Sequence, residues 1–500
     1  MRIKHKSSLL FWGNSLINFS ILSEKIEICK SVEELLKIKI NKSNYLFLII
    51  TSMVIVMFYL YESAIDTVLT NHKKFVNTEN KFSRNRKFEF QDIIKFFLFN
   101  KGSSNQDDLD DFLEDKFDEV DLELTRQNLS QQRTFIDPFV FKEISKEYLK
   151  NINYNVNNPL FKTFNGFFLI AGDGSNFEIP DFEDVRKEFG IKNDSLVRRE
   201  PSDAKFSGLM DVMNGFLLDG IIGNHRQAEL PLMHQNLDNI QDIINPTQSI
   251  FIFDSGYAAM ELFVHIIEMN SFFVARLQDE YYKKERKQVQ SNDEEIKLNL
   301  TGERLQKFRN PDFKEKYSKE PYLKLRIATV EVEKENEETG EIEIEIYSLL
   351  TNLPENIMTT DDICEIYHQR GGIETNYNTL KNRYYIENYT GKRRITIEQD
   401  IYSKFLRYNI FCHYKNYFYN LINSRKRKKG IQTQYQVNQA NLIRKLKKYL
   451  PKMILNPTVK IIRKYSIKII KLCSKSPEKI RKSPRRPTSA RKFNMNYRLT

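Results

Sequence analysis

FFLIAGDGS, Phe167 to Ser175, and SIFIFDSGYAAMELF, Ser249 to Phe263, share one form: a short uninterrupted apolar run that ends at an aspartate followed by a glycine. An uninterrupted β-rich run marks a strand covered on both faces, because a strand with one wet face alternates. An acid just past the carboxyl end of such a strand sits where open α/β sheets bind ligands. Taken singly, Asp-Gly or Asp-x-Gly after a strand is more often only a turn. The repetition sets Asp173 and Asp254 at equivalent places, each just past the carboxyl end of a buried strand.

Between and after these strands the elements follow in a definite order. GLMDVMNGFLLDGIIG carries Asn214-Gly215 between two apolar runs, which predicts a hairpin with a type I′ turn. A helix around Glu229 to Leu237, the Asp254 strand, a helix from Ala258 to Met269 and a strand FFVARL (Phe272 to Leu277) follow. Further on, DDICEIYHQRGGIETNYNTLKNRYYIENYTGK (Asp361 to Lys392) sets Tyr367, Arg370, Glu374 and Lys381 at i, i+3, i+7 and i+14. Those spacings bring a phenol, two cations and an acid to one face of a helix. Alone, this is equally a solvated ion-pair face. Together with Asp173 and Asp254, Glu374 makes a set of three carboxylates, and hard oxygen ligands of that kind suit Mg²⁺ or Mn²⁺.

Tyr367-x2-Arg370-x3-Glu374-x6-Lys381 resembles the Tyr-Arg-Glu-Lys motif of the DDE transposases of bacterial insertion sequences, specifically insertion-sequence family 4. The Asp-Gly-Ser turn at Asp173, Asp-x-Gly-Tyr at Asp254 to Tyr257, FFVARL and LLTNLP (Leu349 to Pro354) stand in the family's order, and the resemblance covers roughly residues 80 to 450. It departs at Gly371, where the family usually has Trp. The resemblance implies a ribonuclease H-like mixed α/β sheet, a β-rich insertion before the last catalytic helix, and an N-terminal helical DNA-binding domain. Such a sheet would put the strands that lead to Asp173 and Asp254 side by side. It implies metal-dependent cut-and-paste phosphoryl transfer at element ends. Asp173, Asp254 and Glu374 would then be the catalytic residues and the ligands of two Mg²⁺ (or Mn²⁺) ions, roughly 4 Å apart. Tyr367, Arg370 and Lys381 would grip DNA phosphates. The implied partners are double-stranded DNA, as terminal inverted repeats and as target, and a second copy of the chain in a homodimer on DNA. An aromatic platform for a flipped base would fall to Tyr281, Tyr282, Tyr317 or Tyr322, each of which is otherwise simple packing.

With 500 residues the chain is expected to hold two to four domains, and its net charge of +12 favours a polyanionic partner. Four cysteines without a CxxC pair (Cys29, Cys364, Cys412, Cys473) indicate neither a disulfide framework nor a zinc site, which fits a reducing cytoplasm. Residues 1–62 read as an extension holding the apolar run Tyr45 to Tyr61, either a membrane span or upstream sequence read in frame, with Met57 as an internal start. Residues 63–158 read as a helical DNA-end-binding domain with Arg84, Arg86, Lys87 and a polar helix from Thr125 to Arg133 as contacts. Residues 159–455 read as the catalytic domain with its β-insertion at about 280–350, and 456–500 as a basic, disordered tail. The expected location is the cytoplasm, on the nucleoid, with membrane association through 45–61 as the other reading. Two rivals remain at this stage. A ribonuclease H-fold endonuclease would share the three acids, and a noncatalytic membrane-anchored DNA-binding protein would take the apolar run and the basic tail at face value.

Overall fold

The computed structural model describes residues 42–79, 81–83, 88–99, 105–117, 124–190, 202–335, 342–427, 435–472 and 475–477. Trp12, Arg84, Arg86, Lys87, residues 336–341 and the basic stretches at 428–434 and 478–500 lie outside them. The chain divides into two compact units. One comprises Met1–Leu160, Ile179–Val185 and Arg383–Thr500, the other Phe161–Glu178 and Arg186–Asn382.

The first unit is helical. It begins with α1 (Lys42–Leu69), α2 (Phe90–Phe99), α3 (Asn105–Phe117), α4 (Arg126–Arg133) and α5 (Phe139–Asn151). The apolar run Tyr45 to Tyr61 lies within α1. Among the described residues no helix is long and apolar enough to cross a membrane. From Met57 onward α1 buries Met57, Phe58, Tyr61, Ala64, Ile65 and Val68, the i, i+3/i+4, i+7 stripe of a core helix. Tyr61 meets Tyr148 of α5 edge to face at 6.2 Å. The end of the apolar run is therefore protein core. In α4, Thr125 caps the helix through Asn128 N–H, and Leu129 and Arg133 are buried. Arg133 is thus no candidate DNA contact, a point taken up in the Discussion.

The second unit carries the sheet. β1 (Phe168–Glu178), β2 (Asp203–Asp211) and β3 (Leu217–Asn224) are an antiparallel meander. After α6 (Glu229–Ile240), β4 (Ser249–Phe253) runs parallel to β1; after α7 (Met260–Glu268), β5 (Phe272–Leu277) runs parallel to β4. Three further strands, β6 (Asp293–Asn299), β7 (Tyr322–Glu335) and β8 (Ile342–Thr351), complete an eight-stranded sheet in the order β3-β2-β1-β4-β5-β8-β7-β6. The β-rich segment expected near 280–350 is thus continuous with the main sheet, because β8 pairs antiparallel with β5. Phe168 to Ala171 and Ile250 to Phe253 are fully buried, as their unbroken apolar runs require. At roughly 1.5–3 kcal/mol for each large side chain, these two strands are the hydrophobic anchor of the unit.

Two local expectations are corrected here. β1 does not stop at Asp173 but runs on to Glu178, because Asp173 to Glu178 pair with Gly208 down to Asp203 on β2. The β2–β3 connection is not a type I′ turn, since only Gly215 has positive φ (83°). It is a longer loop in which Gly215 N–H donates to the Asp211 carbonyl (2.7 Å) and the Asp211 carboxylate accepts from Met213 and Asn214 N–H (3.0 Å each). That buried carboxylate takes over the donors a tighter turn would have satisfied.

The unit closes with α8 (Thr360–His368) and α9 (Gly371–Arg383). One continuous helix through Tyr367 and Lys381 was expected; the structure has two. Between them Arg370 N–H donates to Tyr367 C=O (3.0 Å), Gly372 N–H to Gln369 C=O (2.9 Å) and Ile373 N–H to Arg370 C=O (3.0 Å). These i→i+3 bonds tighten the chain and shift the phase of the second helix. Gly372 has a packing reason, since a Cβ there would lie 3.1 Å from Val212 Cβ.

The helical unit resumes with α10 (Arg394–Arg427), α11 (Gln439–Leu455) and α12 (Val459–Leu472). α10 packs on α5, where Tyr148 Oη lies 2.7 Å from His413 Nδ1 and Asn409 donates to Ser145 Oγ (3.0 Å). The described residues from Arg383 onward belong to the same compact unit as these N-terminal helices. α12, inside the stretch expected as a disordered tail, buries Ile462, Ser466 and Ile469 at helical spacing.

Candidate active site

The register Gly172↔Phe253 between the parallel strands β1 and β4 makes Asp173 and Asp254 neighbours. Each uses one carboxylate oxygen locally: Asp173 Oδ1 accepts Gly174 N–H (2.8 Å), and Asp254 Oδ1 accepts Ser255 N–H (2.7 Å) as the cap of a 3-10 turn, Ser255–Tyr257. Among the described residues the Oδ2 atoms carry no hydrogen bond. Burial pushes the Asp173 carboxyl up to about 6; Gly174 N–H and Arg370 oppose the rise, and Asp254 and Glu229 add to it.

α8 and α9 bring the remaining candidates. Tyr367 Oη lies 3.5 Å from Asp254 Oδ1, and burial with the nearby Asp254 pushes its phenol up to about 12. Its ring meets Tyr347 of β8 edge-on at 5.9 Å, and Arg276 of β5 lies 3.8 Å from the Tyr347 ring centre. The added strand β8 therefore seats a site residue. Arg370 Nη2 donates to Glu374 Oε1 at 3.1 Å. Burial acts to lower the Arg370 pKa, but Tyr367, Asp254, Glu374 and Asp173 together hold it raised. The guanidinium is thus the local counter-charge of all three acids. Lys381 does not join this group: its Nζ donates to the Asn176 carbonyl (2.7 Å) at the far end of β1.

Asp173 and Asp254 are brought together, and Glu374 is turned toward Arg370 with its side chain 59% exposed. Among the described residues no three His, Cys, Asp or Glu side chains yet stand close enough to hold one metal ion. The donor set nonetheless fits a hard divalent cation. Asp173 and Asp254 are adjacent half-buried carboxylates, each with one oxygen that carries no hydrogen bond among the described residues, and Glu374 is a third carboxylate, paired to Arg370.

Four residues complete the surroundings, three of them with no distinguishing mark in the sequence. Tyr377 Oη donates to the Asp173 carbonyl (2.9 Å), Tyr257 Oη donates to Glu229 Oε2 (2.9 Å), and Lys205 pairs with Glu229 Oε1 (3.0 Å). Only Asp-x-Gly-Tyr pointed toward Tyr257. Of the four tyrosines considered for an aromatic platform, Tyr317 is buried with its hydroxyl on Glu268 (2.6 Å) and Tyr282 stacks under Arg304 (5.3 Å). Tyr322 carries Lys297 over its ring (4.7 Å), and Tyr281 is exposed.

Residues 170–410 match the family model described as the transposase DDE domain. Over 100 residues the chain is 30% identical to the putative transposase InsZ of Escherichia coli (strain K12), a stretch amounting to 20% of this chain and 32% of that protein. The chain thus matches about a third of the length of that curated relative. Among solved structures it is similar to the piggyBac transposase in its synaptic complex with hairpin DNA, at 12% identity over 84% of each chain with a TM-score of 0.42.

Proposed function

We propose, on the premise of a transposase DDE domain over residues 170–410, that this chain is a DNA transposase of insertion-sequence family 4 acting at the ends of its own element. The observation that carries the reading is the side-by-side placement of Asp173 and Asp254 on parallel strands, with Arg370 held among these two acids and Glu374. The strand order β3-β2-β1-β4-β5, an antiparallel meander followed by two parallel strands, supports a ribonuclease H-like core. Mg²⁺ or Mn²⁺, two ions per site held by Asp173, Asp254 and Glu374, would supply activation of water or a 3′-hydroxyl and stabilisation of the leaving oxygen.

The chain's own residues do the rest. Arg370 and Tyr367 bind a DNA phosphate beside the carboxylates; a planar guanidinium suits bidentate contact with phosphate. In doing so Arg370 exchanges Glu374 for the phosphate, which frees the Glu374 carboxylate for the cation. Lys381, on the Asn176 carbonyl, ties α9 to β1 and adds positive charge to the phosphate face. Joining requires two DNA ends in one assembly, so the working form is a homodimer on DNA, with the helical unit contacting the terminal repeats. On this reading the protein acts on chromosomal DNA, in the cytoplasm at the nucleoid.

The test uses DNA fragments that flank the gene. The wild-type protein should nick and join them in Mg²⁺. Glu374→Gln should lower cleavage by roughly 10²-fold or more and change DNA binding less than about threefold. Arg370→Ala should weaken binding about tenfold or more, as expected for a charge-assisted contact worth about 1.5–3 kcal/mol. Absence of any metal-dependent break in the wild type would sink the reading; equal effects of both substitutions on binding would make the pair structural.

A further inference from the structure

We infer that the outer face of the helix pair α11–α12 is a surface for the phosphate backbone of duplex DNA, held without regard to base sequence. The inference rests on the proposed transposase reading and names the surface by which the helical unit meets DNA, a role that the sequence pattern suggests for residues 63–158. Residues 439–472 hold ten Lys or Arg and no Asp or Glu, so this stretch has no internal counter-charge. On α12 the exposed cations Lys460, Arg463, Lys464 and Lys468 stand at i, i+3, i+4 and i+8, one stripe along the helix. Ile462, Ser466 and Ile469 are buried on the opposite side, and α12 packs against α11 and α1. The apolar stripe that an interfacial helix would insert into lipid is thus spent inside the protein. What remains outward is cationic.

The two helices present their cations together. Tyr449 of α11 stacks on Tyr465 of α12, ring centres 5.2 Å apart at 21°. Lys445 Nζ lies 5.5 Å from the Tyr449 ring centre, and Lys468 Nζ lies 5.6 Å from that centre and 5.5 Å from the Tyr465 centre. The tyrosine pair is therefore a seam at which lysines of both helices meet. Arg444 and Lys448, each one position along α11 from Lys445 and Tyr449, are exposed. Lys452 is neutralised by Asp115 of α3 (2.7 Å), whereas among the described residues Lys448, Lys460, Arg463, Lys464 and Lys468 have no acidic partner. Like charges gathered in this way repel one another, and a polyanion relieves the repulsion. From Lys460 to Lys468 four cations span about 12 Å of helix axis, against a duplex that carries one charge per about 1.7 Å. The N-terminal helices offer the reverse: α3 carries six Asp or Glu and one Lys, and Arg133 of α4 is buried.

Binding of the full chain to a duplex unrelated to the element, measured in chelator over a series of salt concentrations, tests this. Lys460→Gln, Arg463→Gln, Lys464→Gln and Lys468→Gln combined should reduce the slope of log K against log salt by about 2–4, since each phosphate contact contributes about 0.9. The same variant should bind about tenfold or more weakly at physiological salt. Lys460→Arg, Lys464→Arg and Lys468→Arg combined keep the charge and should keep the slope. Lys284→Gln, Lys287→Gln, Lys307→Gln and Lys314→Gln remove as many exposed cations from the sheet-bearing unit and should change the slope by less than about 1. An unchanged slope in the α12 variant would overturn the inference. Equal losses in both Gln variants would overturn it too, because net charge alone would then account for binding. So would wild-type binding to phosphatidylserine vesicles that the α12 variant loses while its DNA slope stays unchanged, since the face would then belong to a membrane. No cleavage is read, so this test and the metal-dependent cleavage test of the transposase reading can fail independently.

Discussion

Asp173→Asn should lose cleavage by about 10³-fold and at the same time make the metal-free protein more stable. The loss follows from removing a negatively charged ligand whose interactions with a bound cation are worth several kcal/mol, each 1.36 kcal/mol being tenfold in rate. The gain follows from the position of Asp173. Its folded pKa, about 6, lies above the ordinary 3.8, chiefly through burial. Between about pH 4 and 6 the folded state holds a proton that the unfolded state has released, so stability falls as pH rises through that window. Above it the penalty for the ionised carboxylate is complete and amounts to roughly 1–3 kcal/mol. Asparagine carries no such penalty. Urea unfolding in a chelator should show the variant more stable at pH 7.5 and equal to wild type near pH 4; no difference at pH 7.5 would show that Asp173 is well solvated. Asp173→Cys gives a second check on its role as a ligand. Mg²⁺ tolerates thiolate poorly and Mn²⁺ accepts it better, so Mn²⁺ should restore part of the cleavage to cysteine but not to asparagine.

Arg133→Ala should destabilise the helical unit by about 3–5 kcal/mol, the range for removing one partner of a buried ion pair. Arg133 is 3% exposed and spends its whole guanidinium inside the unit. Nε donates to Gln399 Oε1 (2.8 Å), Nη1 to Thr390 Oγ1 (2.7 Å), and Nη2 to Thr396 C=O and Asp400 Oδ1 (2.9 Å each). The guanidinium also lies 4.1 Å from the Phe97 ring centre. Lysine cannot reproduce this fork, so Arg133→Lys should recover only a minor part. Arg133→Met combined with Asp400→Leu should cost far less than either change alone, because no charge is then left buried without its partner. Denaturant midpoints of the single and double variants give the coupling directly; an Arg133→Ala protein with wild-type stability would mean that water enters and solvates Asp400.

The sequence carried the centre of the sheet more clearly than the site's edges. The unbroken runs before Asp173 and Asp254 reveal two fully buried strands because burial on both faces leaves no polar position to break the run. Where β1 ends is set by its partner β2 across the sheet, and a local pattern cannot report that. The glycines at 371 and 372 signal a weak helix, but the phase change there depends on i→i+3 bonds and on the approach to Val212. Arg133 reads as a surface cation in an eight-residue polar helix; its burial is decided by Asp400, 267 residues later.

That long separation also bears on how the protein is made. At a synthesis rate of about 5–20 residues per second, α4 waits roughly 10–50 s on the ribosome before Asp400 is even polymerised. Every strand from β1 to β8 is delivered in that interval. The sheet-bearing unit can therefore fold as an insertion during translation, while α1 to α5 remain an unfinished half with apolar faces exposed. Nascent chains arrested once residue 382 has cleared the ribosome but before Asp400 has should resist protease across 202–335 and 342–382 and remain cleavable before 160. Chains extended past α12 should be protected in both.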